Sequence, residues 1–584
     1  MREAVPRALE GRRGLFICWA LWCLLLGLVA ARRIVLLEAS DPDDYMRLLE
    51  VRDWLAGQSW WDVRQYRMNP PAGADMHWSR LVDLPLAALL APARALLGEA
   101  VGTRLAMSLV PLGQLLLAMA LVARLLRSLS GDAATVLAGV LLVPLFPLLT
   151  STFLPLRIDH HGWQAIATLW ALVESRRRDA VGAVRAGLAA AFGLAISLEG
   201  LALAAVLAGL LALRWVVARQ NHLAPYLAAL AGGGLLLSLA TRHAAFAAQP
   251  PADILAWPHL LAFATCAALA ALLPRLPGQD QPLGRLLGLV PVGLAGLAIV
   301  LPVLGAAAIN PFAGLDPVVK AWWLDKIPEG LPIWMQDWKT AAMLVWTVLL
   351  VLAGWRMARR DAVLAACWTE PALLALAAGA MSLLLMRAAV TAQLLAVPFS
   401  AVLLRRLLPN ARALAQPVPR IAATLAVLGL TTPLLVTAAA SQLPQAKGKV
   451  AAPVIAAAPA GPCAVATLAA LPRGHFLTPF NLAPELLVRT PHSAVMGSYH
   501  RNAAQMRAVI ELFSGDPAQA EGLARANRVT HVAVCLSDTE LAVLATRNPA
   551  GLAARLLGGH APGWLVPVPG FDGPLRVWRL AQPG

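Results

Sequence analysis

The chain has 584 residues, of which 59% are hydrophobic and 14% charged, with a mean hydropathy of +0.67. Soluble domains carry about a quarter charged residues, so this composition excludes that class. The net charge of +16 admits a nucleic-acid partner by charge alone, but the arginines sit in short loops between apolar runs, as the positive-inside rule produces, and a nucleic-acid partner is excluded on that distribution.

The first element is a basic stretch, MREAVPRALEGRR, followed by GLFICWALWCLLLGLVAARRIVLL. Small residues near Ala31 fit a cleaved signal peptide. The apolar run continues past Arg32 and Arg33, which favours an uncleaved first span over 14–37. Runs suited to a hydrocarbon core of ~30 Å follow at 101–123, 133–150, 162–175, 181–197, 199–213, 223–240, 257–274, 286–306, 340–355, 362–380, 384–404 and 421–440. The fold class is therefore a polytopic α-helical membrane protein with about thirteen transmembrane helices.

With the N-terminus cytoplasmic, every second loop is basic: Arg124 and Arg127; Arg176, Arg177 and Arg178; Arg214 and Arg219; Arg275 and Arg285; Arg356, Arg359 and Arg360; Arg405, Arg406, Arg412 and Arg420. The apolar segment 81–97 contains Pro85, Pro92 and Arg94. Counted as a span it would invert every later loop, so it is expected to lie in or dip into the outer interface. This gives a membrane domain over 1–440, with large outer loops at 38–100 and 307–338, and an outward domain over 441–584.

The last segment mixes apolar stretches (CAVATL, SAVMGS, HVAVCL) with helix-like runs such as AAQMRAVIELF, the pattern of a small soluble α/β domain. WLVPVPGFDGPLRVWRL reads as a closing hairpin around Asp572-Gly573. Cys18, Cys23, Cys266 and Cys367 lie in spans as small apolar fillers. Cys463 and Cys535 lie in the outward domain, each on an expected strand. A disulfide in an oxidising compartment and two separate buried thiols are both open.

Four outward features are candidates for chemistry. ASDPDDYMR brings Asp41, Asp43 and Asp44 together just after the first span. LPLRIDHHGWQ contributes Arg157, Asp159, His160 and His161; its oxygen and imidazole donors suit a divalent cation, Mg²⁺ or Mn²⁺. LDKIPEGLPIWMQDW carries Glu329 between two prolines. A solvated loop is the competing reading for the first and third, and a chance two-ligand match for the second. The fourth is Arg387, in an otherwise apolar segment, either snorkelling to the interface or facing an anion. Glu199 is an interfacial carboxylate without an assignment. P-loop, dinucleotide, H-E-x-x-H and C-x-x-C motifs are absent, which leaves nucleotide hydrolysis and redox chemistry without motif support.

In order and sidedness these motifs resemble the C-type glycosyltransferase superfamily, and most of all the catalytic subunit of oligosaccharyltransferases. The resemblance spans nearly the whole chain. It implies a sugar or glycan donor on a polyprenyl phosphate or diphosphate, transferred with inversion by direct displacement. It implies Asp41, Asp159 and Glu329 as catalytic residues, with Asp41, Asp159 and His161 holding the divalent cation. Here His161 stands where the family has a carboxylate. Arg387 is implied to contact the donor's lipid phosphate.

The family's W-W-D-Y-G acceptor motif is missing; KAWWLDK has a Trp pair in a different loop. Residues 480–502, FNLAPELLVRTPHSAVMGSYHRN, occupy the corresponding region. Asp44, Asn481, Tyr499 and His500, with His492 and Arg501, are acceptor-side candidates or turn stabilisers. The acceptor is open among glycan, glycolipid and protein. A flippase for lipid-linked glycans and a non-catalytic scaffold are the alternatives. The expected location is a bacterial inner membrane, with membrane lipids around the bundle, the N-terminus cytoplasmic and the C-terminal domain periplasmic.

Overall fold

The computed structural model of the protein describes residues 11–242, 250–360, 365–443 and 461–582. The basic start over 1–10, the first residues of the 362–380 segment and most of the 441–460 junction lie outside the described residues. Packing divides the chain into two compact units: one takes residues up to 38, 79–313 and 328–446, and the other takes 39–78, 314–327 and 447–584.

The first unit is helical. Nine described helices are long and apolar enough to cross a membrane: Gly11–Leu36, Arg80–Leu129, Leu198–Ala218, Leu223–Thr241, Trp257–Arg275, Pro282–Ala308, Trp338–Ala358, Ala366–Leu384 and Met386–Arg412. The pair Pro417–Leu430 and Leu434–Ala440 makes a tenth if it counts as one span, bent by 89°. The other expected spans fall on shorter helices. The 133–150 segment is cut into Ala133–Leu142, a 3₁₀ turn and Pro147–Thr152, because Pro144 and Pro147 lack the amide hydrogen an unbroken helix needs. Helix His161–Ser175 has 15 residues, about 22 Å of rise.

Residues 80–97 and the span after them run as one long helix broken at Gly98, whose φ of 79° is left-handed and open to glycine at little cost. The Met386–Arg412 span is the most buried of the long helices. Gly354 lets a neighbouring helix reach it: a Cβ there would stand 2.5 Å from the Cβ of Phe399.

The second unit is α/β. Its five-stranded sheet has the order β2-β1-β3-β5-β4, with β1 at His475–Leu477, β2 at Ser493–Ala494, β3 at His531–Cys535, β4 at Leu565–Pro567 and β5 at Leu575–Leu580. β1 pairs in parallel with β2 and β3, while β5 is antiparallel to β3 and β4. The expected hairpin is β4–β5, and the expected HVAVCL strand is β3.

CAVATL is not a strand. Val465–Ala470 is a 3₁₀ helix, and Thr467 bonds the Ala464 carbonyl at 2.6 Å, a local bond that competes with sheet pairing. The strand in this region is HFL, too short to show alternation. Cys463 and Cys535 form a disulfide.

Residues 39–78 and 314–327 share a unit with the C-terminal segment. Met68 forms a parallel bridge to Ala494 beside β2, and the Arg67 guanidinium donates to the carbonyls of Leu487 at 2.6 Å and Thr490 at 2.8 Å. Short loop segments cannot bury their own backbone polar groups, so they satisfy them on an existing sheet edge.

Candidate functional site

Asp159 closes the loop that leads into helix His161–Ser175. The preceding Leu156 holds a φ of 75°, a left-handed conformation that costs a non-glycine residue about 1–3 kcal/mol. It is anchored by its amide on the Met107 carbonyl at 3.1 Å. This turn sets Arg157 and Asp159 in place. Asp159 is 6% exposed. Its Oδ1 accepts from the His160 amide at 2.6 Å and lies 2.6 Å from His160 Nδ1; its Oδ2 lies 3.4 Å from His161 Nε2. The two imidazoles are 4.3 Å apart. Burial pushes the Asp159 carboxyl up, but His160, His161 and Arg157 outweigh it and hold the group well below the usual carboxylate range.

Glu329 arrives from a separate loop. It sits on a 3₁₀ turn, Pro328–Gly330, pinned by Gln336, whose amide donates to the Pro328 carbonyl at 2.6 Å and to that of Leu331 at 2.9 Å. Its Oε2 is 3.8 Å from His161 Nε2, with the side chain 43% exposed. The turn packs against a second 3₁₀ turn, Met386–Ala388, which carries Arg387.

Arg387 Nη1 donates to Glu199 Oε1 at 2.5 Å, and Glu199 is close enough to His161 and His160 to feel their charge. One unit thus collects Asp159, His160, His161, Glu329, Glu199 and Arg387 from four separate segments. Glu199, an interfacial carboxylate without an assignment, and His160, outside the implied ligand set, thus both join the site. An acidic residue at the head of an apolar run was the one available signal for Glu199.

The remaining candidates belong to the second unit. Asp41 caps helix Pro42–Leu55, accepting the Asp43 amide at 3.0 Å; the Asp-Pro start and the acidic first turn suit a helix N-terminus. Asp44 is fully buried. Tyr499 is buried, reaches Asp43 Oδ1 at 3.5 Å and packs edge-on to Trp78 at 5.6 Å. His500 lies against His77 at 4.7 Å and stacks with Trp323 at 6.5 Å. Arg501 donates to the Met76 carbonyl and lies 3.5 Å from Asp75. Asn481 stands apart in the sheet domain, its amide held by Glu540 at 2.9 Å. His492 bonds the Leu468 carbonyl at 2.8 Å and the Gly474 amide at 3.2 Å, a structural role.

Whether a divalent cation fits depends on the donors. Asp159, His160 and His161 each offer a ligand atom, all within 4.8 Å of one another, and the Glu329 carboxylate borders the same imidazole. Two imidazole nitrogens with carboxylate oxygens suit Mn²⁺ or a later transition ion better than Mg²⁺, which prefers oxygen alone.

No protein-family model and no curated protein matches the chain. Solved structures do. The oligosaccharyltransferase of Archaeoglobus fulgidus in the apo form superposes with a TM-score of 0.63 at 13% identity, covering 99% of this chain and 75% of that chain. Archaeal AglB from Archaeoglobus fulgidus, in complex with an inhibitory peptide and a dolichol-phosphate, gives 0.61 at 14% identity, covering 96% and 74%. The Archaeoglobus fulgidus oligosaccharyltransferase in complex with Zn and sulfate gives 0.61 at 14%, covering 97% and 73%. In fold, therefore, this helical chain resembles the oligosaccharyltransferase of Archaeoglobus fulgidus.

Proposed function

We propose that the chain is a membrane glycosyltransferase that moves a sugar or glycan from a polyprenyl-phosphate-linked donor to an acceptor outside the cytoplasm. The observation that carries this reading is the meeting of Asp159, His160, His161 and Glu329 beside the Glu199–Arg387 pair, where apolar helices give way to loops. A lipid-linked donor is amphipathic, so its phosphate is held at that depth. Breaking the glycosidic bond leaves negative charge on the phosphate and positive charge on the sugar.

Arg387 neutralises the phosphate oxygens through a charge-assisted bond. Asp159, His160 and His161 would hold a divalent cation, which supplies further charge stabilisation to the leaving oxygens. Glu329 borders the cation ligands from a separate loop. Asp41 would orient or deprotonate the acceptor nucleophile. The setting is a bacterial inner membrane with the second unit in the periplasm. With W-W-D-Y-G missing, the acceptor stays open among glycan, glycolipid and protein.

The test uses purified protein, a membrane extract containing lipid-linked sugars, and Mn²⁺ or Mg²⁺ with and without chelator. Release of free polyprenyl phosphate or diphosphate is expected from the wild type, lost with chelator and lost in Asp41→Asn and Asp159→Asn. No release from any extract, with donor lipid still bound by all three proteins, would favour a flippase or a scaffold.

A further inference from the structure

Helix His161–Ser175 joins the site just described to a second charged cluster about 22 Å away along its axis. Its C-terminal end runs into Arg176, Arg177 and Arg178. The Arg214 guanidinium clasps Glu370 with two bonds, Nε to Oε1 at 2.7 Å and Nη2 to Oε2 at 2.5 Å, and its Nη1 donates to the Ser175 carbonyl at 2.8 Å. Two more arginines reach the same carboxylate: Arg178 at 3.6 Å and Arg176 at 4.0 Å. His222 lies in the field of Arg214, Asp179 and Arg178.

One bidentate guanidinium satisfies the carboxylate, and the pair is nearly buried, at 6% and 14% exposure. Arg176, whose Nη1 donates to the Cys367 carbonyl at 3.0 Å, and Arg178 are then two further cations held within reach of a third. Holding like charges together in a partly desolvated place is costly unless an anion joins them. Two buried polar atoms here, Arg176 Nε and His222 Nδ1, make no hydrogen bond to any described residue. Arg178 is 46% exposed and has a φ of 50°. Positive-inside topology alone does not explain convergence: Arg406 obeys the same rule and is simply exposed.

We propose that Arg176 and Arg178, organised by the Arg214–Glu370 pair, form a binding site for the phosphate of an anionic phospholipid headgroup, at the membrane face opposite Asp159. Basic pockets between helix ends are the usual means of headgroup recognition, and a guanidinium offers a phosphate two parallel donors. The membrane-embedded position favours lipid over a free anion. This inference stands independently of the glycosyl-transfer reading.

The experiment uses the purified, delipidated full-length chain in detergent. Phosphatidylglycerol, phosphatidylcholine or inorganic phosphate is added, and binding is followed by native mass spectrometry and thermal unfolding. Phosphatidylglycerol should bind and raise the unfolding temperature, whereas phosphatidylcholine should not. Arg178→Ala, at a half-exposed side chain, should weaken phosphatidylglycerol binding about fivefold. Arg406→Ala, removing the same charge elsewhere, should leave it unchanged. Equal binding of the two lipids, or equal loss in both variants, would overturn the proposal. Inorganic phosphate reproducing the whole effect at equal concentration would overturn the lipid as occupant and leave a free-anion site.

Discussion

Arg387 and Glu199, 188 residues apart in sequence, are joined by a 2.5 Å hydrogen bond between Nη1 and Oε1. The arginine proposed to contact the donor phosphate thus already holds an anion. If it takes that phosphate as proposed, the phosphate competes with the Glu199 carboxylate, and this glutamate is expected to weaken donor binding. Glu199→Gln is expected to lower the KM for lipid-linked donor, and Arg387→Ala to lower kcat/KM by roughly 10²-fold, the value of a lost charge-assisted bond of about 2–3 kcal/mol. Steady-state donor titrations on both variants decide this; a raised KM in Glu199→Gln would give the glutamate a binding role instead.

Cation dependence should follow the Asp159 cluster. Chelation is expected to stop turnover, with Mn²⁺ restoring it better than Mg²⁺, because two of the convergent donors are imidazoles. His160→Ala and His161→Ala should each weaken Mn²⁺ binding about 10–100-fold. Metal titration read by electron paramagnetic resonance of bound Mn²⁺ measures this without relying on activity.

The Cys463–Cys535 disulfide spans 72 residues. A loop of that length constrains the unfolded chain by about 4 kcal/mol in the loop-entropy account. Cys463→Ser with Cys535→Ser is expected to destabilise the sheet domain by 2–4 kcal/mol on that basis, leaving the helical unit unchanged. Hydrogen exchange of β1 and β3 against exchange of helix Ala389–Arg412 separates the two. Equal exchange in both proteins would show that the bridge adds no stability.

Acid should weaken the same domain. Burial pushes His475 down to about 4, with Nδ1 2.9 Å from Ser493 Oγ, and burial also lowers His531, stacked on Phe476. The His475 ring is therefore neutral in the native state near neutral pH, while the unfolded chain takes up protons below about 6.5. A depressed histidine pKa therefore gives stability that is complete above about pH 6.5 and lost as pH falls towards 4. His475 contributes up to about 3 kcal/mol of that loss. Amide exchange of β1 measured between pH 7 and 4, corrected for intrinsic rates, should show this slope in the wild type and a shallower one in His475→Gln.

Much of the architecture follows from local chemistry. A bundle of apolar helices is the one arrangement that satisfies backbone hydrogen bonds of such runs in hydrocarbon, so composition and loop charge fix a helical membrane unit before any packing is known. Asp41-Pro42 marks a helix start through capping alone, and HVAVCL reads as a strand because it is short, β-branched and bounded by turn residues.

Three features were set by tertiary packing. CAVATL has strand composition but becomes a 3₁₀ turn, since the sheet position beside β3 is taken by His475–Leu477. The loops at 39–78 and 314–327 pack with the C-terminal segment, a choice made by which sheet edge and carbonyls they reach. The Glu199–Arg387 bond joins residues whose flanking sequences contain no hint of each other. Periodicity, capping and hydropathy act over a few residues and are legible in the chain. A charge pair formed across 188 positions depends on which helix ends the bundle brings together, and only the folded packing decides that.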